Sequence, residues 1–117
     1  MKLLSILFCL FVGLVMSQMV LPYKEADFQQ LLKTNSCKGC NLSGANLKWA
    51  NMTRADLIGA TLIGANLTGA DLTNANLTFV NLTNVDLEKA NLTRAYLSKA
   101  IFCHTTMSDG TINNSGC

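Results

Sequence analysis

Charged side chains make up only 14% of this 117-residue chain and aromatic ones 7%, and there is a single histidine. Each scarcity excludes something. Nine Lys and Arg against seven Asp and Glu leave a formal net charge of +2. There is neither the basic stripe that tracks a phosphate backbone nor the acidic run of a solvated tail, so nucleic acid is not an expected partner. With so few rings and half of the residues apolar, any core must be built from small and branched aliphatic side chains. One histidine and terminal cysteines are not expected to assemble the three ligands of a catalytic zinc. Glycine-rich phosphate loops are missing too, because Gly59, Gly64 and Gly69 recur at a fixed five-residue step, as turn positions do. At this length the chain is one domain whose core is marginal without staples. No motif in it calls for a cofactor.

What is present begins with "MKLLSILFCLFVGLVMSQ", one lysine followed by an apolar run from Leu3 to Met16. The run is shorter than the roughly 20 residues a bilayer span needs, and it matches the apolar region of a secretory leader. Val15 and Ser17 suit the −3 and −1 positions, which places cleavage after Ser17 and leaves no membrane anchor on the mature chain. Cys9 sits inside the run behind Leu7 and Phe8, without the small-residue box of a lipidation site. An exported chain of about 100 residues is expected, in a periplasm, a thylakoid lumen or the extracellular medium.

Export changes how the remaining cysteines read. Cys37, Cys40, Cys103 and Cys117 are an even set in a small chain, the pattern of a disulfide framework. None lies between residues 41 and 102. "CKGC" also has precedents as a thiol–disulfide centre and as half of a metal site. Redox domains, however, open a helix with the motif, and here it follows a predicted one, so a structural disulfide is the preferred reading. Asn41 rather than His follows Cys40, which excludes haem attachment. Cys103 with His104 could form a nucleophile pair, but no orienting carboxylate adjoins them. A Cys103–Cys117 bridge would close the tail, contributing about 3 kcal/mol by loop entropy.

Between the cysteines runs a repeat. Leu42, Leu47, Met52, Leu57, Leu62, Leu67, Leu72, Leu77, Leu82, Leu87, Leu92, Leu97 and Phe102 follow one another at five-residue intervals, with weaker copies at Met107 and Ile112. Two residues before each centre stands Cys40 and then Ala, with Val80 and Val85 the exceptions. Asn or Asp mostly precedes the centre, and Ser or Thr mostly follows it. On a helix, five steps of about 100° would smear the leucines around the cylinder. On a flat strand an odd step would alternate them between faces. A chain that turns a corner every five residues buries Leu and Ala together, and stacked coils pair their backbones. The expected fold is an all-β solenoid.

The units "ANLTG", "ADLTN" and "ANLTR" resemble the pentapeptide-repeat family, over residues 40 to about 112. That resemblance implies a right-handed quadrilateral β-helix with four units per coil and about three to four coils. It divides the chain into a leader (1–17), an N-terminal part with a short helix (18–39), the β-helix (40–112) and a disulfide-closed tail (103–117). "KEADFQQLLKTNS" would supply the helix, with Phe28, Leu31 and Leu32 facing the first coil. The layout is similar to exported cyanobacterial and thylakoid-lumen members.

At four units per coil, Thr53, Thr73 and Thr93 stack in one outward column, and Trp49 and Phe79 stand at corners on different sides. The threonines could meet an ordered lattice, although such ladders also simply suit stacked strands. The two aromatics are candidate protein contacts. Asp56, Asp71 and Asp86 stand in the Asn slot, as backbone-bonding substitutes rather than acid–base pairs. The expected function is a non-catalytic, exported structural or protein-interaction module with an unidentified protein partner. Two alternatives are a DNA-mimic inhibitor of a topoisomerase, as in some members of the family, and a thiol-redox protein acting through Cys37 and Cys40.

Overall fold

The computed structural model describes residues 22–117, and the expected leader, 1–17, lies outside them. Among the described residues the regular elements are short: α1 (Glu25–Thr34), β1 (Thr105–Thr106) and β2 (Ile112–Asn113). The rest is a ladder. Parallel bridges run from Ser36↔Asp56 through Asn46↔Asn66 and Asn66↔Asp86 to Asp86↔Thr106, each joining residues twenty apart. Twenty residues are four pentapeptides, so the chain makes a circuit of four sides before it lies upon itself.

One unit shows why the sequence repeats as it does. In Asn66–Ala70 the Asn66 N–H donates down to Ala45 O (3.0 Å), and the Leu67 and Gly69 N–H groups donate up to Asp86 O (2.8 Å) and Glu88 O (2.9 Å). The Ala70 N–H closes a turn onto Leu67 O at 3.0 Å. The fifth, Thr68 N–H, is taken by Asn66 Oδ1 at 3.0 Å. Every backbone donor of the unit is satisfied, as buried or crowded backbone requires. The Asn slot is therefore a backbone acceptor, and Asp56, Asp71 and Asp86 fill it in the same way toward Ile58, Thr73 and Glu88.

The turn sets a positive φ two residues after each centre. Gly69 adopts 67° there without strain, yet nine non-glycine residues of the repeat, among them Trp49, Phe79, Lys89 and His104, hold the same conformation at 50–61°. Each carries a cost of about 1–2 kcal/mol. The rung bonds on either side over-determine the corner and keep it so.

Ten centres, from Leu42 to Leu87, are buried, with Val80, Val85 and the alanines other than the half-buried Ala50 beside them. At about 1.5–3 kcal/mol per buried Leu or Met, this row drives folding. Leu92, Leu97 and Phe102 are only half-buried, because no further complete coil lies above them. The ladder also starts earlier than Leu42: Cys37 stands in a centre position, bonding Asp56 O at 2.7 Å, and Cys40 takes the small-residue position after it.

Two expectations at the ends are corrected. Leu31 of α1 is buried and Phe28 packs beside it, but Leu32 is 58% exposed. The buried sector of the helix runs from Asp27 through Leu31 to Phe28, and Leu32 is rotated just beyond it. Ile112, expected to continue the repeat, is also exposed. The turn at Asp109-Gly110 reverses the chain, so Ile112 pairs antiparallel with Thr106 instead of stacking on Leu92.

Candidate functional site

The outer surface is organised by column. Thr53, Thr73 and Thr93 do stand above one another, but each hydroxyl donates to the carboxamide or carboxylate oxygen of its own rung: Asn51 (2.8 Å), Asp71 (2.6 Å) and Asn91 (2.6 Å). Thr78 and Thr83 do the same with Asn76 and Asn81. The hydroxyl protons that a lattice would need are spent within the rung. At Asp71 the Thr73 hydroxyl and then the Thr73 backbone N–H hold the carboxyl below its ordinary value of 3.8, with burial opposing them. Asp109 is lowered in the same way, first by the Thr111 hydroxyl and then by its N–H. These carboxylates are structural acceptors.

Trp49 and Phe79 are the large exposed rings of the repeat corners, 64% and 55% accessible. They are thirty residues apart, one and a half circuits, which puts them at opposite corners. Trp49 lies flat over the next rung: a Cβ placed on Gly69 would fall 2.0 Å from its ring carbons. Lys48 approaches the Trp49 ring at 6.0 Å and Lys99 the Phe79 ring at 5.1 Å. Each aromatic therefore carries a cation on its flank, an arrangement worth about 0.5–1 kcal/mol when exposed.

The four cysteines form two bridges of different character. Cys37–Cys40 spans a single corner, Cα to Cα 5.3 Å, with both residues buried at 0% and 5% exposure. Cys103–Cys117 ties the last circuit to the tail, Cα to Cα 4.8 Å. Cys117 and His104 are exposed and Cys103 is half-buried, and the three ligand atoms lie within 4.8 Å of one another. The lone histidine and the terminal cysteines thus converge after all. The hairpin of β1 and β2 folds Cys117 back to the corner where His104 stands, the tail closure expected from the cysteines. Two of the three sulfur and nitrogen atoms are tied to each other as a disulfide.

The tail is held elsewhere by groups that sequence reading missed. Thr105, fully buried in the small-residue position, donates its hydroxyl to Leu82 O at 2.7 Å. Asn114 Oδ1 accepts the His104 N–H at 2.8 Å. Among the described residues no buried side-chain N or O lacks a partner. A shallow notch of about 260 Å³ lies between α1 and the first circuit, lined by Leu31, Leu32, Asn35, Leu47, Ala50, Asn51 and Met52. Its lining offers no acid, base or nucleophile.

The model of the family described as pentapeptide repeats (8 copies) matches residues 40–78 and 70–109. The chain belongs to the pentapeptide-repeat family. Membership carries the right-handed β-helix with it, and pentapeptide-repeat proteins are generally non-catalytic. Among solved structures, the chain is similar to HetL of Nostoc sp. strain PCC 7120, a pentapeptide-repeat protein involved in heterocyst differentiation regulation. The identity is 41% over 67% of this chain and 34% of that one, with a TM-score of 0.47. It is similar also to a pentapeptide-repeat protein of the Arabidopsis thaliana thylakoid lumen, at 30% identity over 74% of this chain and 63% of that one, with a TM-score of 0.34. The chain thus spans about a third of the length of the first and under two thirds of the second. No curated protein matches it.

Proposed function

We propose that this pentapeptide-repeat protein is a non-catalytic, exported structural or protein-interaction module. It is read as a quadrilateral β-helix of about three to four coils, its ladder running from Ser36 to Thr106, with α1 capping one end and the cysteine-closed tail the other. The observation that carries this reading is how the repeat spends its chemistry. Asn and Asp side chains accept from the backbone of their own unit and from its Thr hydroxyls, while Trp49 and Phe79 are held outward at rigid corners with cations beside them. Such a surface offers fixed contacts to a protein partner and aligns no nucleophile with a base.

Support for export comes from the apolar leader pattern and from two disulfides in so small a chain. DNA mimicry needs a dense acidic face, whereas this chain carries +2. Redox action through Cys37 and Cys40 needs an accessible first thiol, and both residues are buried.

The test has two arms. An intact mass of protein from its native compartment should begin at Gln18. A photo-crosslinking residue at Phe79 or Trp49 should give one discrete protein adduct there, which the same probe at Lys38 does not give. A mass retaining Met1, or identical adduct patterns at all three positions, refutes the reading.

A further inference from the structure

Thiol chemistry would be sought first at "CKGC", yet the other bridge is the more exposed of the two. Cys37 and Cys40 are closed off within the core, and the Asp27 carbonyl oxygen stands 3.1 Å from Cys37 Sγ, where it would oppose a thiolate. Lys38, the cation inside the motif, pairs with Asp56 at 3.2 Å. At the far end Cys117 is exposed, Cys103 is half-buried, and His104 Nδ1 lies 3.3 Å from Cys103 Sγ. His104 is fixed in that place: its corner φ is 50° and its N–H is held by Asn114. Cys103 is anchored on both sides, its N–H on Thr105 Oγ1 at 3.1 Å and its carbonyl on the Asn84 N–H at 2.9 Å.

We propose that the Cys103–Cys117 bridge is a thiol-exchange site for an external protein dithiol, with His104 protonating the departing Cys103 sulfur. The rate of exchange depends on which sulfur is reachable and on how readily the other leaves. Here the reachable sulfur is on the tail, and the leaving sulfur is the one beside the imidazole. A thiolate of the dithiol attacks Cys117 Sγ and forms a mixed disulfide. The S–S electron pair departs on Cys103 Sγ, which takes the proton from His104 Nδ1 of the imidazolium form. The second thiolate of the dithiol then attacks its own sulfur of the mixed disulfide and expels Cys117 as a thiolate, which water protonates. Once solvent has returned a proton to His104, the chain has gained two electrons and two protons, and the dithiol has become a disulfide.

The consequence lies in what the bridge holds down. The Gly116 N–H donates to Phe102 O at 2.7 Å, so the bridged end of the tail covers the side of the last circuit that carries Phe102. Along the adjoining Asn91–Lys99 sides the centres Leu92 and Leu97 are already half-exposed. Opening the bridge therefore enlarges an apolar end surface that the first circuit, crossed by α1, does not present.

The test uses the full oxidised chain with dithiothreitol as the dithiol, quenched at intervals with an alkylating agent and mapped by peptide mass. Cys103 and Cys117 should be labelled faster than Cys37 and Cys40 by about ten-fold or more. The variant His104→Asn, whose new residue tolerates the left-handed corner, should slow tail opening several-fold and leave the rate at Cys37–Cys40 unchanged. A variant that lost the fold would label all four cysteines together, and the wild-type selectivity would still decide between the two bridges. Equal opening of both bridges in the wild type, or a folded His104→Asn that opens as fast as wild type, overturns the proposal.

Discussion

Truncating Leu72 should cost far more than truncating Leu97, although both occupy the same place in the repeat. Leu72 is fully buried, stacked between Met52 below and Leu92 above in one column of centres. Leu97 stands in the last circuit and is only half-buried. Replacing Leu by Ala removes three carbons, about 2.4 kcal/mol at about 0.8 kcal/mol each. Around Leu72 the neighbouring rungs are pinned by backbone bonds on both sides and cannot collapse into the space, which adds a cavity term. A loss of about 3–4 kcal/mol is expected for Leu72→Ala, toward the upper part of the range for such changes. For Leu97→Ala the transfer term is roughly halved by exposure and the open end can relax, leaving about 1 kcal/mol. Urea unfolding followed by far-ultraviolet circular dichroism, with the disulfides intact, gives both values. Equal costs at the two sites would refute the reasoning, since burial by stacked rungs would then not be what sets stability.

Other consequences are more local. Gly69→Ala should lose about 1–2 kcal/mol from the left-handed corner, and it should also shift Trp49 fluorescence, because the new Cβ enters the ring's position. Gly64→Ala meets nothing within 4 Å and should show the backbone cost alone. Lys89→Gly should stabilise by about 0.5–1 kcal/mol by relieving the positive φ. The lowered carboxyl of Asp71 binds its proton less readily folded than unfolded, so its contribution is present above 3.8 and is lost as pH falls through the folded value. Asp71→Asn should leave stability at pH 7 nearly unchanged and flatten the acid side of the urea midpoint against pH.

The solenoid was legible because its signal is arithmetic: a five-residue return to leucine fits neither 3.6 nor two. The column partners followed once four units were taken per circuit. What the residues did not disclose was mostly backbone and closure. Trp49, Phe79 and Lys89 carry no sign that they sit at positive φ, since the corner conformation is imposed by bonds to rungs nineteen to twenty-one residues away. Cys37 was read as lying outside the repeat because a cysteine stands where a leucine would. Ile112 kept the period of the repeat but lost the stack, because Asp109-Gly110 turns the chain back before it. Leu32 was misplaced by one helical step, which amphipathic counting cannot resolve at the edge of a face. The Cys103–Cys117 bridge was legible in the even set of cysteines, whereas the approach of Cys117 to His104 depends on that same tail hairpin.

The four-sided circuit is the claim on which the columns, corners and covered ends all depend. Trans-hydrogen-bond couplings in a labelled sample test it directly. The account predicts correlations from the Asn91 N–H to the Ala70 carbonyl and from the Leu67 N–H to the Asp86 carbonyl. Correlations displaced by one pentapeptide, joining each unit to the third rather than the fourth after it, would mean a three-sided coil and would contradict it.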